Sequence, residues 1–145
     1  MVIAIMWQCV YPWDIRIEKF TKLLSKQGHE VHIICRGRKE LPEKEKIDAL
    51  LIHRVLISLS IIGVFLSRVL SYPLFINPVW IYKTLKILIK NKIDLIIVRD
   101  LPLAFLGGIL GKAMKIPVIL DMAENYPAAL VAYSKAQYKP FLFFD

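Results

Sequence analysis

The chain has 145 residues, and its 20 Lys+Arg outweigh its 12 Asp+Glu, leaving a net charge of +8. That length suits one ordinary domain with a real core, and 57% hydrophobic against 22% charged residues excludes a disordered chain. Six glycines and eight prolines exclude a fibrous chain, while two cysteines, Cys9 and Cys35, are too few for a disulfide scaffold, lack zinc-ligand spacing and fit a reducing cytoplasm.

The first charge is the acid Asp14, so the start does not read as a secretory leader, which opens on a basic segment. Val2–Trp7 is a short apolar run bounded by Tyr11-Pro12, the pattern of a buried strand. Ile17, Phe20 and Leu24 then recur at helical spacing, with Lys19, Lys22 and Lys26 facing elsewhere. Asp14 and Gly28 stand where a cap starts that helix and a glycine ends it. Glu30–Cys35 (EVHIIC) is a second strand, polar Arg36–Lys46 with Pro42 a loop, and Ala49–Ile57 a third strand.

From Val55 to Tyr82 the only charge is Arg68. A spanning helix needs about 20 continuous apolar residues, but Arg68 confines the first uncharged run to Val55–Ser67, and Pro73 and Pro78 break the second. Two readings stay open: a helix buried in the core, or one lying in the membrane interface with basic residues toward anionic lipid. Asn77-Pro78 is a clean helix start, with Ile81, Leu85, Leu88 and Ile89 as its apolar stripe and Lys83, Lys86 and Lys90 toward water.

Ile93–Val98 is a fourth strand with Asp94 near its beginning, and Leu101–Lys115 a helix with Pro102 in its first turn. Gly107, Gly108 and Gly111 each weaken that helix by up to about 1 kcal/mol, which points to close packing on a sheet. Ile116–Leu120 is a fifth strand, Met122–Pro127 a loop, and Ala128–Gln137 another helix. Strands alternate with helices throughout, so the expected fold is an α/β, doubly wound, mostly parallel sheet with helices on both faces.

In such sheets ligands bind outside the carboxyl ends of the strands. Tyr11, Pro12, Trp13, Asp14 and Arg16 follow the first strand, Arg99 and Asp100 the fourth, and Asp121, Glu124, Asn125 and Tyr126 the fifth. Carboxylates there accept hydrogen bonds from hydroxyls or take a proton from one, and arginines pair with phosphate through two parallel bonds. Asp14 fits a helix cap equally well, and Arg99–Asp100 also fits a local ion pair.

Other chemistries lack their residues. No G-x-G-x-x-G follows the first strand and no G-x-x-x-x-G-K-[ST] is present. A phospho-receiver wants adjacent acids where Gln8 and Cys9 stand. His29, His32 and His53 sit in or beside strands without a matching ligand set, so they read as structural and no metal is expected. No basic stripe with interleaved aromatics points to nucleic acid.

The runs YPWDIRIEKFTKLLSKQGHEVHIICRGRKE and IDLIIVRDLPLAFLGGILGKAMKIPVILDMAENYP resemble the N-terminal, acceptor-side domain of family 4-like glycosyltransferases (glycosyltransferase group 1) with the GT-B fold. Leu24–Val31 matches the helix-to-strand join, Asp100–Ala104 the D-L-P-L-A after the fourth strand, and Ile116–Pro127 the fifth strand and its loop. The resemblance implies a hexosyl transfer from a nucleotide-sugar donor to a glycan or lipid-linked acceptor, with retention at the anomeric carbon, in a cleft between two Rossmann-like domains. By that carry-over Asp100 and Glu124 are the catalytic candidates. Asp14, Arg16, Arg99, Asp121, Asn125 and Tyr126 line the acceptor side. The nucleotide-sugar is a substrate, and no cofactor or metal is implied.

Three departures stand out. Pro12-Trp13-Asp14-Ile15-Arg16 replaces a common Gly-Gly loop, Ala123 stands where many relatives have His, and Arg99-Asp100 replaces a frequent His-Asp, so no catalytic histidine carries over. The donor domain is also missing, and the chain stops within the aromatic run KPFLFFD at Lys139–Asp145, the pattern of an interface. Residues 1–145 are therefore expected to be a truncated acceptor-binding domain, inactive alone and completed by a donor domain in cis or in trans. The implied setting is polysaccharide or lipid-linked glycan assembly, in the cytoplasm and peripheral at the inner membrane face. The alternative is a non-catalytic, membrane-recruiting subunit of a split glycosyltransferase.

Overall fold

The computed structural model describes residues 1–12, 15–56, 78–99 and 101–122. Strand β1 spans Val2–Val10, helix α1 Ile15–Lys26, β2 Glu30–Arg36, β3 Lys44–Ile47 and β4 Leu50–Val55. Helix α2 spans Pro78–Lys90, β5 Leu95–Arg99, a 3-10 turn Leu101–Leu103, helix α3 Ala104–Met114 and β6 Val118–Asp121. The strands form one six-stranded sheet in the order β3-β4-β2-β1-β5-β6. All neighbouring pairs are parallel except β3 with β4.

The alternation of side chains along β1 divides the core in two. Ile3, Ile5 and Trp7 join Val31, Ile33 and Ile52 on the face covered by α1. Ala4 and Met6 join Ile34, Ile96 and Val98 on the opposite face, with Trp80 and Leu88 of α2 and Leu106 and Leu110 of α3. Central strands buried on both sides need apolar residues at every position, which is why β1, β2 and β5 read as continuous apolar runs. The α/β sheet with helices on both faces is thus present as expected.

Local signals hold at several joints. Gly28 ends α1 at φ +81°, a region open to glycine, and its N–H donates to the Ser25 carbonyl while the N–H of His29 donates to that of Leu24. Asp94 fastens the start of β1, its Oδ2 accepting from the N–H of Val2 at 2.7 Å while its own N–H donates to the Val2 carbonyl at 2.8 Å.

Four expectations need correction. The stretch Arg36–Lys46 is not all loop: Arg36 closes β2, and Lys44–Ile47 forms an antiparallel edge strand. That strand is polar because it is exposed along nearly its whole length at the sheet edge, so no apolar run marks it. The buried stripe of α1 is Ile17 and Thr21 rather than Phe20. Thr21 Oγ1 bonds the Glu18 carbonyl at 3.1 Å within the helix, so its polar atom is satisfied in the core. On α2 the buried residues are Trp80, Thr84 and Leu88, while Ile89 is exposed. Finally, strand ends shift by up to three residues, β1 reaching Val10 across an irregularity between Met6 and Val10.

The glycines of α3 divide sharply. A Cβ on Gly107 would meet Val98 and one on Gly111 would meet Val118, whereas Gly108 faces open space. Close approach of helix to sheet therefore explains two of the three. The apolar stretch at 57–77, the cap at Asn77, the helix at Ala128–Gln137 and the tail Lys139–Asp145 lie outside the described residues. Among the described residues, no helix is long and apolar enough to cross a membrane.

Candidate functional site

The order of strand addition reverses between β1 and β5, since β2 and β4 lie to one side of β1 and β5 and β6 to the other. At such a reversal the crossover connections diverge and leave a crevice beyond the carboxyl ends. Tyr11 at the end of β1, Arg99 at the end of β5, Asp121 at the end of β6 and Arg16 in the first turn of α1 all stand on that rim.

Arg99 and Asp121 are direct neighbours in the β5–β6 register. Arg99 Nη1 donates to Asp121 Oδ2 at 2.9 Å, with the arginine side chain 8% exposed and the aspartate 46% exposed. A buried guanidinium thus holds a half-exposed carboxylate at the mouth of the crevice. A carboxylate can accept about four hydrogen bonds, so Asp121 keeps capacity for incoming hydroxyl groups. Arg99 therefore has a partner across the sheet, Asp121, while Asp100 lies outside the described residues. Sequence spacing does not reveal this pair, because no local pattern links residues 22 apart.

Tyr11 ties the end of β1 to three other elements. Its ring is buried, its hydroxyl is paired with Thr21 of α1, and burial followed by the Glu18 carboxylate raises its pKa. Its backbone meets the thiol of Cys35 on β2, which burial pushes up to about 11, and its carbonyl accepts from Arg54 Nη2 of β4 at 3.4 Å. The Tyr11-Pro12 bond is cis. Arg54, buried at the end of β4, also donates to the Pro42 carbonyl at 3.0 Å and to Glu45 Oε2 at 2.6 Å. A charge inside the apolar run LLIHRV is the sequence signal for such an anchor.

Arg16 is exposed at the start of α1. Asp14, Asp100, Glu124, Asn125 and Tyr126 lie outside the described residues, so of the eight candidates the structure brings together Arg99 and Asp121 and puts Arg16 on the same rim.

The histidines sit elsewhere. His32 Nδ1 and His53 Nε2 share a hydrogen bond of 3.0 Å in the core, and His32 Nε2 bonds Glu30 Oε1 at 3.0 Å. Burial, then His32, Lys44 and Lys90, lower the His53 pKa to about 4, so this ring is neutral at pH 7. Among the described residues, no group of three or more His, Cys, Asp or Glu side chains is placed to hold a metal ion.

The sequence model of Glycosyltransferase Family 4 matches residues 15–139. The chain belongs to glycosyltransferase family 4. That match begins at α1, after the central strand β1, and includes every later element of the described structure. No curated protein sequence matches the chain. Among solved structures, the fold is similar to a sucrose-phosphate synthase from Thermosynechococcus elongatus, at a TM-score of 0.51 and 15% identity over 79% of this chain and 30% of that one. A second structure of sucrose-phosphate synthase from the same organism aligns at a TM-score of 0.50 and 15% identity, over 83% of this chain and 61% of that one. The likeness at this identity is one of fold, and the family 4 chain adopts a Rossmann-like domain of the GT-B type. It spans less than two thirds of either neighbour.

Proposed function

We propose that this family 4 domain is the acceptor-binding half of a retaining glycosyltransferase, moving a hexose from a nucleotide-sugar donor to a glycan or lipid-linked acceptor. The observation that carries the reading is the Arg99–Asp121 pair at the strand reversal of a family 4 domain. Its half-exposed carboxylate is suited to orienting acceptor hydroxyls, and Arg16 on the same rim to attracting an anionic group. Asp100 and Glu124, which follow β5 and β6 in sequence, are the residues proposed to act at the reacting groups. Asp14, Asn125 and Tyr126 complete the acceptor side.

The reaction needs a donor-binding domain, supplied in the same polypeptide or by a second chain, and the acceptor half has no turnover alone. No metal or cofactor is required, and the setting is the cytoplasmic face of a membrane, in polysaccharide or lipid-linked glycan assembly. The test is turnover by the enzyme complete with its donor domain. Asp100→Ala and Glu124→Ala should each lower turnover far more than stability. Unchanged turnover in both refutes the assignment, as does tight nucleotide-sugar binding by this chain alone.

A second reading, a non-catalytic subunit that recruits a donor-domain chain to the membrane, is favoured by one feature. Leu101 in the 3-10 turn, Phe105 and Ile109 on α3, Ile119 and Leu120 on the edge strand β6 and Met122 just after it are exposed apolar side chains. Co-purification with a separate donor-domain chain supports it, and a single polypeptide with full turnover refutes it.

A further inference from the structure

A second cleft opens on the carboxyl side of the sheet, one strand away from the reversal. It has a volume of about 360 Å³ and is lined by Arg36, Gly37, Arg38, Lys39, Glu40 and Leu56. Three of its six lining residues are cations and one is an acid. Arg36, Arg38 and Lys39 are exposed, and among the described residues none of their side chains has a hydrogen bond or ion pair. Three cations against the single acid Glu40 leave the cleft with an excess of positive charge, and an anion in their midst relieves the repulsion among them.

The walls are held by structure behind them. The N–H of Gly37 donates to the Val55 carbonyl at 3.0 Å, and the N–H of Leu41 to the Arg38 carbonyl at 3.1 Å, closing a turn over Lys39 and Glu40. Buried Arg54 anchors the far end of that loop, through Nη1 to the Pro42 carbonyl at 3.0 Å and through its N–H to the Glu43 carbonyl at 2.7 Å. Gly37 lies so close to Leu56 that an added Cβ would stand 3.0 Å from Cγ of that side chain, so the floor is apolar and tight. Arg36 is the register partner of Val10, next to Tyr11 at the end of β1. The cleft therefore adjoins the acceptor side of the candidate site.

We propose that this cleft binds a phosphoryl group carried by the acceptor, held by Arg36, Arg38 and Lys39. The word acceptor rests on the transferase reading above; the anion site rests on the cleft alone. Two guanidinium groups and an ammonium suit a phosphoryl anion, because arginine presents paired donors to adjacent phosphate oxygens. A sugar phosphate, a dianionic monoester, and a phospholipid headgroup, a monoanionic diester, both offer anionic phosphate oxygens to these donors.

Titration of the full chain separates the outcomes, with methyl phosphate at constant ionic strength and backbone amide shifts as the readout. A saturable response centred on residues 36–40 and Leu56 is expected. Arg36→Gln with Arg38→Gln should weaken it about tenfold or more, and Glu40→Gln should tighten it. Lys22→Gln with Lys26→Gln removes the same charge from the other end of α1 and should leave it unchanged. If methyl phosphate binds, the source is a soluble phosphorylated acceptor. If instead the chain sediments only with phosphatidylcholine vesicles containing phosphatidylglycerol, and R36Q/R38Q abolishes this while K22Q/K26Q does not, the source is a lipid headgroup. No binding in either arm, or equal loss in both double variants, overturns the proposal. Dispersed amide spectra of each variant verify folding. Sugar transfer is not measured, so this result and that for the Asp100 and Glu124 variants stand or fall separately.

Discussion

Replacing the three glycines of α3 one at a time by alanine tests how that helix is seated on the sheet. A Cβ at Gly107 would lie 2.2 Å from Val98 Cγ2, and one at Gly111 would lie 2.1 Å from Val118 Cγ2 and 2.9 Å from the Ile116 carbonyl oxygen. Carbon atoms in contact prefer about 3.5–4.0 Å, so both sites are more than about 1 Å too close. Around Gly108 nothing lies within 4 Å. Each alanine gains up to about 1 kcal/mol in helix propensity, and overpacking costs about 1–3 kcal/mol. Gly108→Ala should therefore stabilise by about 0.5–1 kcal/mol. Gly107→Ala should lose about 0.5–2 kcal/mol net, and Gly111→Ala more, because a backbone carbonyl has no rotamer to escape into. Urea denaturation at constant slope measures all three. Val98→Ala removes the obstructing methyl, so combined with Gly107→Ala it should cost less than the sum of the two by about 1 kcal/mol. Equal stability of the Gly107 and Gly108 variants, or strict additivity of the pair, would refute this packing.

Three further outcomes follow from the same structure. His53, lowered to about 4 from its ordinary 6.5, is neutral in the folded chain, whereas the unfolded chain takes up its proton first as pH falls. Its contribution is fully present above about pH 6.5 and lost toward pH 4, on the order of 3 kcal/mol in all. His53→Gln should flatten the pH dependence of the urea midpoint over that window, and parallel curves for both proteins would contradict it. Asp121→Ala removes the Asp121 carboxylate from the buried Arg99 guanidinium and should destabilise by about 1–2 kcal/mol after allowance for the exposed aspartate, with Asp121→Asn costing less. An unchanged melting curve would argue against the pair. Cys9 is exposed and Cys35 is buried with its pKa pushed up to about 11. A thiol reagent should label one cysteine in the native chain and both in denaturant, and two fast labels under native conditions would place Cys35 wrongly.

Apolar runs and their punctuation carry most of the fold. Val2–Trp7, Glu30–Cys35 and Ile93–Val98 are legible because strands buried on both faces admit almost nothing polar. Gly28 marks the end of α1 for an equally local reason, since a left-handed residue there favours glycine. Strand β3 stays hidden because Lys44–Ile47 at the edge of the sheet has no burial to impose a pattern. Phe20 misleads about the buried face of α1 because the satisfied hydroxyl of Thr21 lets a polar residue enter the core.

The candidate site divides in the same way. Residues that follow strands are legible from chain order alone, because a doubly wound sheet puts every parallel strand's carboxyl end on one rim. Covalent order along the chain thus determined the alternation, the family and the rim. Pairings across that rim belong to tertiary structure. Arg99 meets Asp121 only once β5 and β6 take their register. Arg54 reaches Tyr11 only after β4 docks beside β2, and Pro42 and Glu45 only once β3 pairs with β4. Strand register and helix docking are decided by burial summed over the whole core, and no local run of residues encodes which distant charge will be left facing which.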